Sequence, residues 1–459
     1  MFKTLINAFK AKDVRNKILI TIGILLLYRL GCWLPLPGID PTAFGSGNSI
    51  DSESFLGLIS AISGNALQNG AFFALGISPY INASIIMQLL TIAIPRLERL
   101  SKQGDDGRKK IAQLTRYLTL ILGAAQSVGI IINWSNAGQL VPGYMFSQST
   151  PVWVIGLVIG LFLLAGTTLV MWLGERITEV GVGNGISLLI FVGIISTAGQ
   201  SIQLTVENAF GFARGAGNNS NQMNKAFWQL IAFFILVAVI FIFVVFIDLA
   251  ERRVPIQYAK QIKGRKQYGG QSTHIPIKVN ASGVLPIIFA TALISFPQML
   301  FSLFVNNTTD ETKWYFRFYD WWGRYMGTGT WTYVVLVALL IFAFSYFYAQ
   351  IQFNPEEVSR NIQQYGGFIP GIRPGKPTTE HLGRISKRLT FFGAVFLAFI
   401  ALVPSVIFKA VFGSGEFAQS QLVSAFAATG MLIVVSVALE FNKQLESLLM
   451  MKHYKGFLK

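Results

Sequence analysis

Few residues in this chain could do covalent or proton chemistry, and their spacing does not suit it. Its 459 residues include three histidines, His274, His381 and His453, and one cysteine, Cys32. The histidines are scattered among polar, basic segments and form no ligand cluster. A single cysteine can build neither an internal disulfide nor a thiolate metal site. Asp248, Glu175 and Glu440 stand at the ends of long apolar runs, and Arg29 near the end of the first. Ion-coupled transport and proton pumping use ionisable groups at membrane depth, and intramembrane proteolysis needs a Ser–His pair or two aspartates there. The polar groups within the apolar runs are instead neutral: Asn65, Gln68, Asn69, Asn82, Gln88 and Asn184. Such a set fits a lined path or a scaffold and implies neither an enzyme nor a resident cofactor. Any energy source must belong to a partner.

The elements that carry these groups belong in a membrane. Hydrophobic residues make up 53% of the chain and charged ones only 13%, the balance of a polytopic membrane protein. Ser54 to Pro95 contains no Asp, Glu, Lys or Arg, although a spanning helix needs only about 20 apolar residues. The first part of this run is diluted by Ser60, Ser63, Gly64, Asn65, Gln68, Asn69 and Gly70. The second, Phe72 to Ile94, has spanning length but carries Gly76, Pro79, Asn82 and Gln88. Irregular backbone at membrane depth survives only where protein or a water-filled cavity satisfies it. The pattern therefore reads as a re-entrant half-helix followed by a span facing an aqueous path. An outside loop followed by an ordinary span is the plainer alternative.

Spans are expected near 18–36, 72–94, 113–133, 152–173, 184–200, 226–247, 280–304, 331–350, 389–408 and 422–441. Met1 to Lys17 is basic, but no small-residue cleavage site follows the first span, so no cleavable signal is expected. Apart from Arg29, the connecting segments divide Lys and Arg 30 against 6 between the two sides. The positive-inside bias puts the richer side, and both termini, in the cytoplasm. Two loops on that side are long, 248–279 and 351–388. The first alternates basic with apolar or aromatic residues around Gly269–Gly270, as a protruding β-hairpin would. The second opens with Asn354-Pro355-Glu356, a helix-start signal, and then turns Gly/Pro-rich. Both loops fit docking surfaces for a large cytoplasmic partner, and both equally fit positive charge held against anionic lipid. Gly371 to Lys376 is not a phosphate-binding loop, being one residue short and lacking the following Ser or Thr.

Ten spans divide into residues 1–200 and 201–459, five spans each. The second span of each half is interrupted, by Gly76 and Pro79 in one and by Gly283, Pro286 and Pro297 in the other. Matched interruptions point to a path at the interface of two repeats, and an odd number of spans per half makes the repeats inverted. The expected fold is thus an all-α membrane protein with two inverted five-helix halves around a central pore and a short re-entrant plug helix.

Longer motifs carry a family resemblance. RLGCWLPLPGID (Arg29–Asp40), FALGISPYINASIIMQLL (Phe73–Leu90), GRKKIAQLTRY (Gly107–Tyr117), GVGNGISLLIF (Gly181–Phe191), YGGQSTHIPIKVNASGVLPIIFA (Tyr268–Ala290) and Asn354 to Leu382 resemble the bacterial SecY family. Its members are central subunits of the Sec protein-conducting channel. The likeness covers nearly the whole chain. One departure is FAATGML at Phe426–Leu432, where the family resemblance implies a Gly-Gly-Thr-Ser type of start to the last span.

The resemblance implies a clamshell around an hourglass pore that opens to lipid between spans 2 and 7, with a plug at about Phe55–Gln68. It implies a pore ring of Ile77, Ile81, Ile186, Ile190, Ile288 and Ile433. Arg373 would couple the channel to the motor ATPase SecA, and Arg252, Lys263, Arg265 and Lys266 would dock SecA or the ribosome. Implied partners also include the small membrane subunits SecE and SecG, precursors with signal sequences, and the bilayer of a bacterial cell membrane. The alternative from the residues alone is a small-solute secondary transporter, which the lack of midplane acids and the two basic loops disfavour.

Overall fold

The computed structural model describes residues 2–39, 60, 63–101, 103–136, 151–209, 220–258, 261–263, 266–268, 272–280, 282–305, 313–326, 330–412 and 428–457. Helices dominate them. In order come α1 (Phe2–Lys10), α2 (Lys12–Gly31), α3 (Ser78–Ala93), α4 (Pro95–Ser101), α5 (Asp105–Asn136), α6 (Val152–Val180), α7 (Gly185–Ala209) and α8 (Ser220–Asp248). After the first long loop follow α9 (Leu285–Val305), α10 (Trp314–Met326), α11 (Trp331–Gln352), α12 (Pro355–Gln364), α13 (Lys376–Phe412) and α14 (Ala428–Phe457). Each expected span overlaps one of these helices. Five described helices are individually long and apolar enough to cross a bilayer, or six if the bent pair α3–α4 counts as one. Their outer faces carry Ile121, Trp153, Leu161, Ile242 and Phe246, each more than half exposed. A continuous apolar exterior of this kind requires lipid or a partner as its solvent.

The second span starts later than its composition suggests. Residues 72–77 form turns, and α3 begins at Ser78 with Ile77 as its N-cap and Pro79 in its first turn. Proline costs nothing there, because the N–H it lacks has no helical partner anyway. The break comes from Gly76, at φ +54°, a value a side chain disfavours. At the other end Ile94 is extended ahead of Pro95, as the residue before proline prefers, and α4 turns away by 105°. Helix α9 repeats the entry. Gly283 lies at φ +64°, and Pro286 stands three residues later in the first turn of the helix, with Pro297 further inside.

Three packed regions organise the bundle. Leu36, Ile39, Leu67, Phe72, Ala74 and Leu75 pack with α5 and α6 around Trp134, Ile155 and Leu163. Helices α8, α9, α11, α13 and α14 pack around Ile287, Ile341, Leu397 and Val435. Between them lies a third cluster to which α2, α3, α6, α7, α9 and α14 all contribute.

The long loops are not independent. Strand β1 (Glu251–Tyr258) pairs antiparallel with β4 (Ser272–Lys278) in the register Glu251↔Lys278 to Gln257↔Ser272. Strand β5 (Gly367–Phe368), from the second loop, pairs with the other side of β1 through Gln257↔Phe368 and Tyr258↔Gly367. A small three-stranded sheet, ordered β4–β1–β5, therefore stands on the helical body. At its tip, β2 (Gln261–Lys263) and β3 (Lys266–Tyr268) form a second hairpin.

Helix α10 lies where only a loop was expected. Its sequence, WYFRFYDWWGRYM, buries no residue. It rests on α9, with the Trp322 indole donating to the Ile294 carbonyl at 3.2 Å and Phe318 meeting Phe301 at 4.5 Å. Short amphipathic helices rich in Trp and Tyr with interspersed Arg lie in membrane interfaces. That aromatic density was the available signal.

Candidate pore constriction and docking surface

Six isoleucines meet in the central cluster. Ile77 caps α3, and Ile81 follows one turn later, its amide donating to the Ile77 carbonyl at 3.1 Å. Ile186 and Ile190 stand four apart on α7 and so share a face. Asn184 sets the start of that helix, its side-chain oxygen accepting from the Ile186 amide at 3.1 Å. Asn184, one of the neutral polar groups noted in the sequence, thus caps this helix. Ile288 comes from α9 and Ile433 from α14. Ile77, Ile190 and Ile433 are buried, and Ile81, Ile186 and Ile288 are partly buried against the same cluster. Two helices from residues 1–200 and two from residues 201–459 thereby bring these isoleucines into one apolar cluster.

A seam runs from this cluster along α3. Ile85 of α3 packs with Phe289 of α9 and Tyr348 of α11, flanked by Ile81, Leu89, Ile288, Phe344 and Phe347. Ile81 and Ile288 belong to both clusters, so the constriction and the seam share side chains. The Tyr348 hydroxyl donates to the Gln88 side-chain oxygen and so links α11 to α3. Gln88, one of the neutral polar groups of this span, is thus tied across the seam. Tyr348 carried no sequence signal, since a lone tyrosine in an aromatic run resembles ordinary packing.

Most of the proposed plug, Phe55–Gln68, lies outside the described residues: only Ser60 and residues 63–68 are described. Ser60 and Ser63 are helical, residues 64–68 form turns, and all of those described up to Leu67 are buried. Asn65 sits at φ +65°, its amide bonded to the Ser60 carbonyl at 2.8 Å. The end of α2 holds this segment, Arg29 Nη1 donating to the Gly64 carbonyl at 2.9 Å and Cys32 Sγ to the Ser63 carbonyl at 3.5 Å.

The second cluster of candidate residues is on the sheet. Beneath it lie Val254, Ile256, Ile277, Ile362, Ile369 and Leu382, all buried. Arg252 is exposed on β1, and Arg253 beside it pairs with Glu251 at 2.9 Å. Lys263 and Lys266 are cross-strand partners at the tip hairpin, while Arg265 lies outside the described residues. Arg373 is exposed on the turn after β5, and that turn is fixed from both sides. The Thr378 hydroxyl donates to the Arg373 carbonyl at 2.9 Å, and Ser359 of α12 donates to the Gly375 carbonyl at 3.1 Å. Asn354 caps α12 by accepting from the Glu356 amide at 3.1 Å, as its sequence predicts. The structure thus brings Arg252 and Arg373 onto one sheet-based unit. Among the described residues no group of three or more His, Cys, Asp or Glu could hold a metal ion.

Comparison with known proteins gives this architecture its context. A family model described as SecY matches residues 71–442. The chain is 42% identical to a protein translocase subunit SecY of Corynebacterium glutamicum over 466 residues, covering 99% of each. It is 40% identical to the same subunit of Bacillus subtilis, covering 100% of each. A solved structure described as that of a protein conducting channel superposes with a TM-score of 0.62 at 20% identity, covering 94% of this chain and 91% of that one. Sec61 in the canine ribosome–channel complex gives 0.57 at 19% identity, with the same coverage. The structural likeness establishes the fold, and the full-length relatives establish the role. The chain belongs to the SecY family of protein translocase subunits, and its work is to conduct polypeptides across a membrane, not to catalyse a reaction.

Proposed function

We propose that an unfolded polypeptide crosses this chain through the constriction of Ile77, Ile81, Ile186, Ile190, Ile288 and Ile433, and that apolar segments leave sideways between α3 and α9. The observation that carries this reading is the sharing of Ile81 and Ile288 between the constriction and the α3–α9–α11 seam. An apolar neck blocks ions by dewetting and offers a sliding chain no polar partner to hold it. The residues near 55–68 serve as the plug on the outer side, and a relative's plug domain is described as stabilising the closed state and maintaining a membrane seal. Charge distribution favours cytoplasmic termini in a bacterial plasma membrane. The repeated Gly-x-x-Pro entry of α3 and α9 supports two inverted halves, 1–200 and 201–459, because charge puts those helix starts on opposite sides.

The sheet-based unit serves as the cytoplasmic dock. Arg373 engages the motor ATPase SecA, and Arg252, Lys263, Arg265 and Lys266 engage SecA or the ribosome; SecE and SecG complete the membrane complex. Two structural relatives were solved on ribosomes, and a Lys/Arg contact to ribosomal phosphate would weaken steeply with salt.

The seam gives the direct test. Cysteines at Ile85 and Phe289, joined by a short bifunctional reagent, should stop membrane integration of apolar segments, and cleaving the link should restore it. Integration that continues through a fully linked channel would refute the sideways exit.

A further inference from the structure

Arg29 has no place in the constriction or the dock, yet its side chain reaches into the charge-free segment that follows α2. It lies in the last turn of α2, where the exposed carbonyls of the helix end favour a positive group. Its guanidinium donates to the Gly64 carbonyl at 2.9 Å and lies 5.5 Å from the centre of the exposed Trp33 ring. Three residues on, Cys32 reaches the neighbouring Ser63 carbonyl at 3.5 Å. Two consecutive carbonyls of the irregular segment are therefore satisfied from one helix end. Downstream, Leu36 donates to Gly70 at 2.9 Å and Phe72 to Leu34 at 2.8 Å, which hold the segment's far end against the same stretch of chain. The turn also meets α7: a Cβ built on Gly64 would lie 3.3 Å from the Gly193 α-carbon and 2.5 Å from Arg29 Nη1.

We infer that Arg29 is the pin that holds this re-entrant segment in its packed position, and hence a positioning residue for channel closure. The inference rests on the plug reading above. At membrane depth a backbone carbonyl without a partner is costly, and a hydrogen bond to a charged donor is stronger than a neutral one. Both the carbonyl and the guanidinium lose their partner when the segment swings away. The bond therefore favours the closed arrangement over any open one. Nothing in that role involves contact with the passing chain.

The test uses the complete membrane complex in liposomes, reading resting ion leak at matched channel amounts. Arg29→Gln should raise the leak by about ten- to a hundredfold, the range expected for loss of a charge-assisted bond. Arg29→Lys should leak less than Arg29→Gln, because it keeps a charged donor while losing the planar fork. Gly64→Ala reaches the same contact by another route, since its Cβ would displace the guanidinium and its φ of +69° resists a side chain. The double variant Arg29→Gln/Gly64→Ala should leak no more than the worse single variant, as two changes at one contact do not add. A leak equal to wild type in Arg29→Gln, equal leaks for Gln and Lys, or a double variant that multiplies both effects would overturn the pin. Ile81→Asn run in parallel separates the two levels. If it leaks and Arg29→Gln does not, only the pin fails; if neither leaks, the gating reading fails with it.

Discussion

Ile81 stands where the constriction and the seam meet, which makes it the most informative single position. Replacing it by Asn puts an amide against the hydrocarbon of the neighbouring helices, and a buried polar group without a partner costs about 1–3 kcal/mol. Once the neck opens around water or a passing chain, the amide is solvated and the cost largely vanishes. The closed state alone is destabilised, so opening should become roughly five- to a hundredfold easier. Ile81→Asn channels should leak more ions at rest and accept precursors with weakened signals. Reduced expression with no gain in either readout would mark Ile81 as packing only. The six isoleucines were legible only through family motifs, since an isolated isoleucine in a span looks the same in a pore as in a core. Asn184 shows a use that composition does not reveal: it serves the helix start, because four orphan amides there need acceptors.

At the level of elements, two connections decide behaviour. The first is the tie between α3 and α11 made by Gln88 and Tyr348. Tyr348→Phe keeps the ring packing with Phe289 and removes the hydroxyl, and a typical hydrogen bond contributes about 0.5–1.5 kcal/mol. Signal-driven opening of the seam should become about two- to tenfold easier, read as faster export of a weak-signal precursor. Slower export would show that the hydroxyl contacts the substrate instead. The second is the turn bearing Arg373, fixed by Ser359 and Thr378. Arg373→Glu should abolish motor-driven export while leaving the channel folded and inserted, since the change is at an exposed side chain on a supported turn. Normal export in that variant would reduce Arg373 to general positive charge. The helix start at Asn354 was readable from its cap and the first hairpin from its alternation, but the register puts the turn between Lys263 and Lys266 and not at the expected Gly269–Gly270. The pairing of β5 with β1 was not, because two residues, Gly367 and Phe368, carry too little pattern to reveal a strand. The start of α3 was misplaced for a similar reason: composition continues through Phe72–Ile77, and only backbone torsion at Gly76 ends the irregular stretch.

For the whole molecule, apolar runs made the membrane fold readable in advance, and the distribution of Lys and Arg sets the expected orientation. Relative placement of the helices was not readable, because every span looks alike to its neighbours in composition and only interlocking side chains choose among them. The orientation is directly testable. Cys32 is buried, so labelling of an introduced cysteine will stand above a low background. Glu357→Cys, exposed on α12, should react with an impermeant thiol reagent in inverted vesicles and not in intact cells; the opposite pattern would reverse the topology. The central claim is that a polypeptide passes through the isoleucine neck. A photoreactive residue placed at Ile81, at Ile288 or at the outward-facing Ile242 tests it with a precursor stalled in mid-transit. Strong crosslinks to the precursor from Ile81 and Ile288, with none from Ile242, are the predicted result. Equal crosslinking from Ile242, or none from the two neck positions, would contradict it.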